Sequence, residues 1–572
     1  MGRGRGQSGR ARGRRPKSAW RADSLGPRRR DPAAPGDPHR RRAQATVSGP
    51  ASRDRVSRVV DLTIARTLSL AGRRAGEKPA VICGDRVLSH GALADAAARL
   101  AGALQAFGLG KGDRLGVVLP NCPEYVAIAL ACARSSIVMV PLNYRFTAEE
   151  HATQLSDCGA RLLIYGEIFG ETVREVARRV AGLGTVCVGT AVAADLGSLD
   201  EILARNAPAG PADVSETDVF YLGYTSGTTG HPKGAMVTHR NRCLAYHYWA
   251  LEFGIRDNDV VLHAGPFHHT APFTFVLTQL FMGGTVVILE HFSASDVLAA
   301  IERHRVTWGF LVPYMLDRLV HAGAELKQHD LSSLRMIVSG ASPLPTVTKE
   351  AVLDLLPGIG LHEFYGATEA GVITNLRPED QRRKTRCVGR PVFDTEIEIR
   401  DEAGRPLPPG ETGDIWMRGP TVFSGYFDAP DKTAAAFDGE WCTIGDVGRL
   451  DDEGYLYILD RRKDLIKSGG VNVFPIEIEE VLLAVPGIAD VAAIGVPDPT
   501  WGEAVHAVVV ANGDRPLADA DVVAACRARL AGYKVPKSIE FRSALPRNAN
   551  GKVLKRTLRQ DFVDRMRTDM PV

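Results

Sequence analysis

Beyond about residue 56 the apolar positions fall into two alternating rhythms. Residues 90–107 carry alanines and leucines at helical spacing, whereas 114–119 form a short aliphatic run that reads as a buried strand. The alternation continues, with 123–133 predicting a helix, 137–141 a strand, 147–156 a helix and 161–165 a strand. It returns at 284–289 (strand), 295–304 (helix), 307–310 (strand) and 334–339 (strand). Strands alternating with helices of these lengths imply an α/β protein with parallel, doubly wound sheets.

After about residue 390 the texture changes to short strands and Gly/Pro turns, as at 396–400 and 413–418. The charged stretch Asp460-Arg461-Arg462-Lys463-Asp464 then precedes a smaller pattern. Pro475 opens a helix over 476–484, followed by strands at 491–495 and 505–510, a helix at 518–530 and a strand at 539–541. The expected organisation is a basic tail (1–55), a large α/β unit with a β-rich subdomain (56–459), a hinge (460–463) and a small, mobile α+β domain (464–572). There are no internal repeats.

Composition changes this picture in the tail. The chain has 572 residues and a net charge of +3, yet residues 1–55 hold 16 Lys/Arg against 4 Asp/Glu. That local surplus of +12 leaves −9 for the remainder, an acidic body behind a basic arm. Rich in Arg, Gly and Pro, the arm buries too little apolar surface to offset the entropy of ordering and reads as disordered. A nucleic-acid or membrane-surface arm, a transit peptide and a start site placed too early are the functional readings. A solvated tail without a specific role is the default, because Gly and Pro argue against an amphipathic transit helix. Nucleic-acid binding is not expected of the acidic body, and membrane contact is at most peripheral. The nine cysteines are scattered, with no C-x-x-C pair, as befits reduced, buried thiols. With no secretory signal and no apolar run of spanning length, the chain reads as cytoplasmic.

The densest chemistry lies in Thr225-Ser226-Gly227-Thr228-Thr229-Gly230-His231-Pro232-Lys233, followed by Gly234. Glycines let backbone N–H groups turn inward as a nest for anionic oxygens, hydroxyls add rotatable donors, and Lys233 adds a point charge. A Walker-type loop needs Gly before the Lys, Ser or Thr after it, and a following helix. Here Pro232 and Gly234 flank Lys233, and 235–238 reads as a strand after the strand at 219–224, so strand-loop-strand is expected. A plain polar hairpin is the bland alternative.

Four further stretches accompany this loop: Tyr365-Gly366-Ala367-Thr368-Glu369, Trp441–Asp446, Asp460–Gly470 and Pro546–Lys552. In this order the five resemble the adenylate-forming superfamily, which includes acyl-CoA synthetases, amino-acid-activating domains and firefly-type luciferases. The resemblance covers residues from about 60 to 560. It implies ATP-dependent conversion of a carboxylate to an acyl-adenylate, with ATP, Mg²⁺ and coenzyme A as cofactors and co-substrates.

On that resemblance, Thr225, Ser226, Gly227, Thr228, Thr229, Gly230 and Lys233 would hold the β- and γ-phosphates. Thr368 would hydrogen-bond the α-phosphate and Glu369 would ligate Mg²⁺. Asp446 would accept the ribose hydroxyls with Arg461 beside it, while Gly340, Ala341, Tyr365 and Gly366 would complete the nucleotide site. Lys552 would bridge carboxylate and α-phosphate. The small domain would then rotate about Lys463, bringing in Lys467, Ser468, Gly469 and Gly470 for the thiol step. Asp460 departs from the Gly that many members carry, which bears on the local turn. Singly, each has a duller reading: Asp446 as a turn residue, Glu369 as a helix start, Lys552 as a solvated lysine.

The carboxylate's identity rests on weaker ground. The expected pocket wall, residues 263–284, has no Asp or Glu to pair an amino-acid ammonium but several aromatic and aliphatic side chains, many of them ordinary core. His269 resembles the family's gate beside the carboxylate, with a structurally bonded buried histidine as the alternative. No Gly-Gly-x-Ser carrier segment follows, so free coenzyme A is the expected acceptor. The expectation is a medium- or long-chain fatty-acyl-CoA synthetase, with an aryl, alicyclic or steroid-side-chain carboxylate ligase as runner-up. A luciferase-like or non-catalytic ATP-binding homologue is the reading from another class. A homodimer is possible from the sequence, which does not fix the oligomeric state.

Overall fold

The structure is a computed structural model describing residues 60–210, 212–225, 233–513, 517–547 and 553–568. Two α/β sheets form the body. The nine-stranded sheet runs, in spatial order, Arg390–Pro391, Gly371–Leu376, Gly360–Ala367, Met336–Ser339, Trp308–Phe310, Val260–His263, Thr285–Ile288, Pro79–Cys83 and Arg86–Ser89. The six-stranded sheet runs Gly184–Val188, Leu162–Gly166, Arg114–Val118, Val138–Pro141, Val219–Thr225 and Lys233–Thr238.

Local chemistry sets the helices between these strands. Pro123 opens Pro123–Ser135, where its missing N–H would be unbonded anyway. Thr147 caps Ala148–Asp157 in a reciprocal box with Glu150. Nearly every residue of Pro123–Ser135 is buried, so this helix is sealed on all faces.

The interior pairings are parallel, as the alternating pattern implies. The edges are not. Val219–Thr225 and Lys233–Thr238 form an antiparallel hairpin in register Thr225↔Lys233, and Gly360–Ala367 pairs antiparallel with Gly371–Leu376. The two sheets are therefore mixed, and both hairpin turns carry sequence singled out for chemistry.

A five-stranded antiparallel sheet follows, built from Glu396–Arg400, Gly413–Arg418, Trp441–Leu450 and Phe437–Asp438, with Leu456–Arg461 on Trp441–Leu450. The C-terminal sheet contains Val471–Val473, Ile466–Ser468, Gly502–Ala511 and Ile488–Asp498, with Ser538–Phe541 parallel to Gly502–Ala511. Its central ribbon is longer than the pattern at 491–495 and 505–510 implies. Pairing continues through Gly495 and Pro497, where hydrophobic alternation gives no signal. Arg386 touches helix Pro475–Leu483, pairing with Glu480 and donating to the Ile476 carbonyl.

The strand that leads into Tyr365–Glu369 is anchored by a buried ion pair. Lys349, on helix Thr346–Leu355, lies 2.6 Å from Glu363, with the two side chains 4% and 7% exposed. Removing the cation alone strands a desolvated carboxylate. Lys349→Met is expected to cost about 3–5 kcal/mol, whereas Lys349→Met with Glu363→Leu recovers most of that. Urea-denaturation midpoints check this, and equal losses in the single and double variants would contradict it.

Candidate functional site

The end of strand Val219–Thr225 meets the turn between Gly360–Ala367 and Gly371–Leu376. Thr225 ends one strand, and its hydroxyl donates to Glu369 Oε1 at 3.3 Å. Glu369 lies in the turn of the second hairpin, 7% exposed, and also accepts from the Tyr426 hydroxyl at 3.0 Å. Tyr426 arrives on a segment that extends the first hairpin: Met236 N–H donates to the Gly425 carbonyl at 3.0 Å and Phe427 N–H to the Gly234 carbonyl at 2.8 Å. The Lys233 ammonium stands 4.8 Å over the Tyr426 ring. Burial lowers its pKa, repulsion from Lys432 and Lys463 adds to that, and Glu369 opposes it. Sequence reasoning missed Tyr426; an isolated Ser-Gly-Tyr in a loop carries no signal of its own.

Thr368 shares this corner. Its hydroxyl is 3.0 Å from that of Thr270, which donates to the Tyr221 hydroxyl at 3.3 Å. Gly223 makes the approach possible, because a Cβ there would lie 2.7 Å from the Thr368 methyl and 2.8 Å from the Tyr221 ring. Gly340 and Ala341 follow strand Met336–Ser339. A Cβ on Gly340 would meet the Phe364 ring at 2.6 Å, and Ala341 holds φ +71°. A non-glycine residue in the left-handed region persists only where its surroundings over-determine it. Gly366 belongs to the strand that supplies Tyr365.

The second cluster lies on the five-stranded sheet. Asp446 sits inside strand Trp441–Leu450, rather than in a turn, directly across from Arg461. The Tyr365 hydroxyl donates to Asp446 Oδ2 at 2.6 Å, and burial holds that phenol well above its ordinary pKa. Asp446 Oδ1 lies 3.2 Å from Arg461 Nε but accepts no directed hydrogen bond from the described residues, so it keeps acceptor capacity toward them. Burial works against the Arg461 charge, yet Asp446 and neighbouring groups leave its pKa above the usual value.

His269 precedes helix Thr270–Met282 and packs on His268 with ring centroids 4.1 Å apart. Among the described residues, neither ring nitrogen of His268, nor Nε2 of His269, has a hydrogen-bond partner. Burial holds His269 at about 3 and His268 well below its ordinary value, so both rings are neutral near pH 7. The helix behind them is largely core. Phe275 packs on Trp249, Phe310 and Phe364, while Phe273 packs on Tyr125 and Phe267.

Lys463 is exposed in the turn after Arg461. Lys467 and Ser468 lie on strand Ile466–Ser468, and Gly469 and Gly470, both at positive φ, turn it into Val471–Val473. Gly469 N–H donates to the Trp501 carbonyl and Lys467 N–H to Glu503. Asp460 is drawn under this junction. Its carboxylate is pushed up to about 6 by burial, 3.9 Å from Lys555, which pairs with Glu479 at 2.8 Å. Ser226, Gly227, Thr228, Thr229, Gly230 and Lys552 lie outside the described residues. Among the described residues, no group of three or more His, Cys, Asp or Glu could hold a metal. Glu369 offers one carboxylate, a donor set suited to a hard cation that takes its remaining ligands from phosphates and water. No helix among the described residues is long and apolar enough to cross a membrane.

A family model described as AMP-binding enzyme matches residues 68–427, and one described as AMP-binding enzyme C-terminal domain matches 477–552. The chain is 40% identical over 499 residues to a feruloyl-CoA synthase of an Amycolatopsis species, covering 86% of this chain and 98% of the relative. It is 37% identical over 470 residues to a long-chain-fatty-acid–CoA ligase of Mycobacterium tuberculosis, covering 81% and 91%. Among solved structures, o-succinylbenzoate CoA synthetase from Bacillus subtilis, in complex with its acyl-adenylate intermediate, matches with TM-score 0.78 and 33% identity. That match covers 86% of this chain and 97% of the other.

The buried histidines give the protein an acid limit. Burial lowers His239, His263 and His362 to about 4 and His269 to about 3. In the unfolded chain they return to about 6.5. On acidification the unfolded state takes up protons first, so stability is whole above about pH 6.5 and falls as pH drops toward 4. The loss reaches up to about 1.4 kcal/mol per histidine per pH unit. Urea midpoints should fall clearly between pH 7 and pH 5; an unchanged midpoint would contradict the buried, neutral assignment.

Proposed function

We propose, because this chain belongs to the AMP-binding enzyme family, that the corner joining Thr225, Thr368 and Glu369 to Asp446 and Arg461 activates a carboxylate with ATP and passes it to coenzyme A. The protein is an AMP-forming acid–thiol ligase. The observation that supports the residue assignments is the convergence itself: the strand end at Thr225, the turn at Thr368 and Glu369, and two adjacent strands of a third sheet bring hydroxyls, cations and two carboxylates around one corner.

In this reading the Thr225–Lys233 hairpin cradles the β- and γ-phosphates, and the Thr368 hydroxyl donates to the α-phosphate. Glu369 holds Mg²⁺, which offsets the triphosphate charge. Asp446 Oδ1, lacking a directed partner among the described residues, accepts from the ribose hydroxyls, and Gly340, Ala341, Tyr365 and Gly366 frame the nucleotide. Charge develops on the α-phosphate as the carboxylate attacks, so fixed donors there lower the barrier more than they strengthen ground-state binding. Lys552 supplies the cation between carboxylate and α-phosphate. Rotation about Lys463 then exchanges it for the Lys467–Gly470 turn, so that the thiol step meets no misplaced ammonium. His269, held neutral, borders the carboxylate without adding charge.

For the acyl group we favour an aryl or other cyclic carboxylate. Two features support this. The apolar side chains of helix Thr270–Met282 that suggested a long tail are mostly committed to core contacts, and the feruloyl-CoA synthase relative is the more similar of the two compared. A fatty acid is the second reading, supported by the long-chain relative.

Mass spectrometry of products from ATP, Mg²⁺, coenzyme A and a panel of ferulate, benzoate, decanoate and palmitate tests the proposal. AMP, pyrophosphate and a CoA thioester are expected, aryl acids leading palmitate. In the same assay Lys463→Pro should keep acyl-adenylate formation and lose thioester roughly tenfold or more. Release of ADP, absence of any thioester, or equal loss of both half-reactions in Lys463→Pro would contradict it.

A further inference from the structure

Behind the Thr368 corner lies a cation that the assigned chemistry does not use. Arg242 sits on helix His239–Glu252 and is 4% exposed. No Asp or Glu among the described residues forms an ion pair with it. Its guanidinium lies 5.5 Å over the Tyr221 ring and donates to the Thr274 hydroxyl. Two buried phenols, Tyr246 beside Arg242 and Tyr125 beside Tyr221, have no hydrogen-bond partner among the described residues.

An arginine taken out of water without a counter-charge is costly, and most buried arginines are paired. This one leads to the reaction corner by two short routes. Thr274 donates to the Thr270 carbonyl at 2.7 Å, one helical turn away, and Thr270 meets Thr368 at 3.0 Å. Tyr221, beneath the guanidinium, accepts from Thr270 and donates to the His268 carbonyl at 3.4 Å. Both this ring and the Thr368 methyl border the space that a Cβ on Gly223 would fill.

We propose that Arg242 is a positioning residue for adenylation: its buried guanidinium fixes Tyr221 and the Thr270–Thr274 turn behind Thr368, and the anionic substrates supply its missing counter-charge. This rests on the ligase reading above, which assigns no role to Arg242. The cost of the unpaired cation falls on the empty enzyme, and the return comes when triphosphate and carboxylate arrive. Placing a fixed charge behind the corner, rather than in it, leaves the donors facing the reacting atoms unobstructed.

The test compares wild type, Arg242→Met and Arg242→Lys by carboxylate-dependent ATP–pyrophosphate exchange and by melting with and without Mg-ATP. Arg242→Met is expected to melt at or above the wild-type temperature when empty. Its exchange should fall at least tenfold in kcat/KM, its ATP-induced melting shift should shrink, and Arg242→Lys should recover part of the rate. Exchange within twofold of wild type, or a rate loss that tracks a collapsed empty-state melting temperature and is not relieved by lysine, overturns the proposal. If the wild type shows no exchange with any acid, the ligase reading fails, and the ATP-induced shift alone then decides whether Arg242 serves an anion-binding corner.

Discussion

One carboxylate joins three layers of this molecule. Glu369 accepts from Thr225 of the six-stranded sheet and from Tyr426, on the segment that connects two strands of the five-stranded sheet and bonds to Lys233–Thr238, while its own turn belongs to the nine-stranded sheet. The Phe423 N–H also donates to the Glu369 carbonyl at 2.7 Å, tying the backbone at the same point. A buried carboxylate must be satisfied, and here the donors come from different layers. The requirement that stabilises the junction also holds Thr225, at the end of its strand, beside the turn that carries Thr368. In the proposed reaction, the geometry that would bring two anions together is thus set by the packing of the sheets.

The hinge side depends on a similar economy. Arg461 pairs with Asp446 across one strand register, while the preceding Asp460 reaches toward Lys555 of the C-terminal helix Lys555–Thr568. Adjacent residues therefore connect the proposed ribose site to the small lobe. Exposed Lys463, two positions on, is free of the buried contacts that fix its neighbours. A rotation there would leave the Asp446–Arg461 pair undisturbed and would alter the Asp460–Lys555–Glu479 group.

Much of the fold was legible in the sequence because parallel interior strands read as continuous apolar runs and their helices carry local caps. The strands that flank residues 226–232 were legible too, from Pro232 and Gly234 around Lys233. What was not legible depends on tertiary contact. Tyr426, Thr270, Tyr221 and Arg242 are ordinary residues until the sheets converge, and no spacing rule links them to Thr368. Asp446 suggested a turn because it follows Gly445, yet the strand runs through both, since Arg461 opposite completes the pairing. The aromatic side chains of helix Thr270–Met282 pointed to a pocket because composition does not distinguish lining from core. Packing on Trp249, Phe310 and Tyr125 does.

The account stands most directly on Glu369 as the joint between the sheets and the holder of the metal. ATP–pyrophosphate exchange measured across a Mg²⁺ titration, in wild type and Glu369→Gln, addresses it. The account predicts that Glu369→Gln needs roughly tenfold more Mg²⁺ or greater, and exchanges at least tenfold more slowly at saturation. A variant that matches wild type in both rate and Mg²⁺ dependence would contradict the assignment of this carboxylate to the reaction.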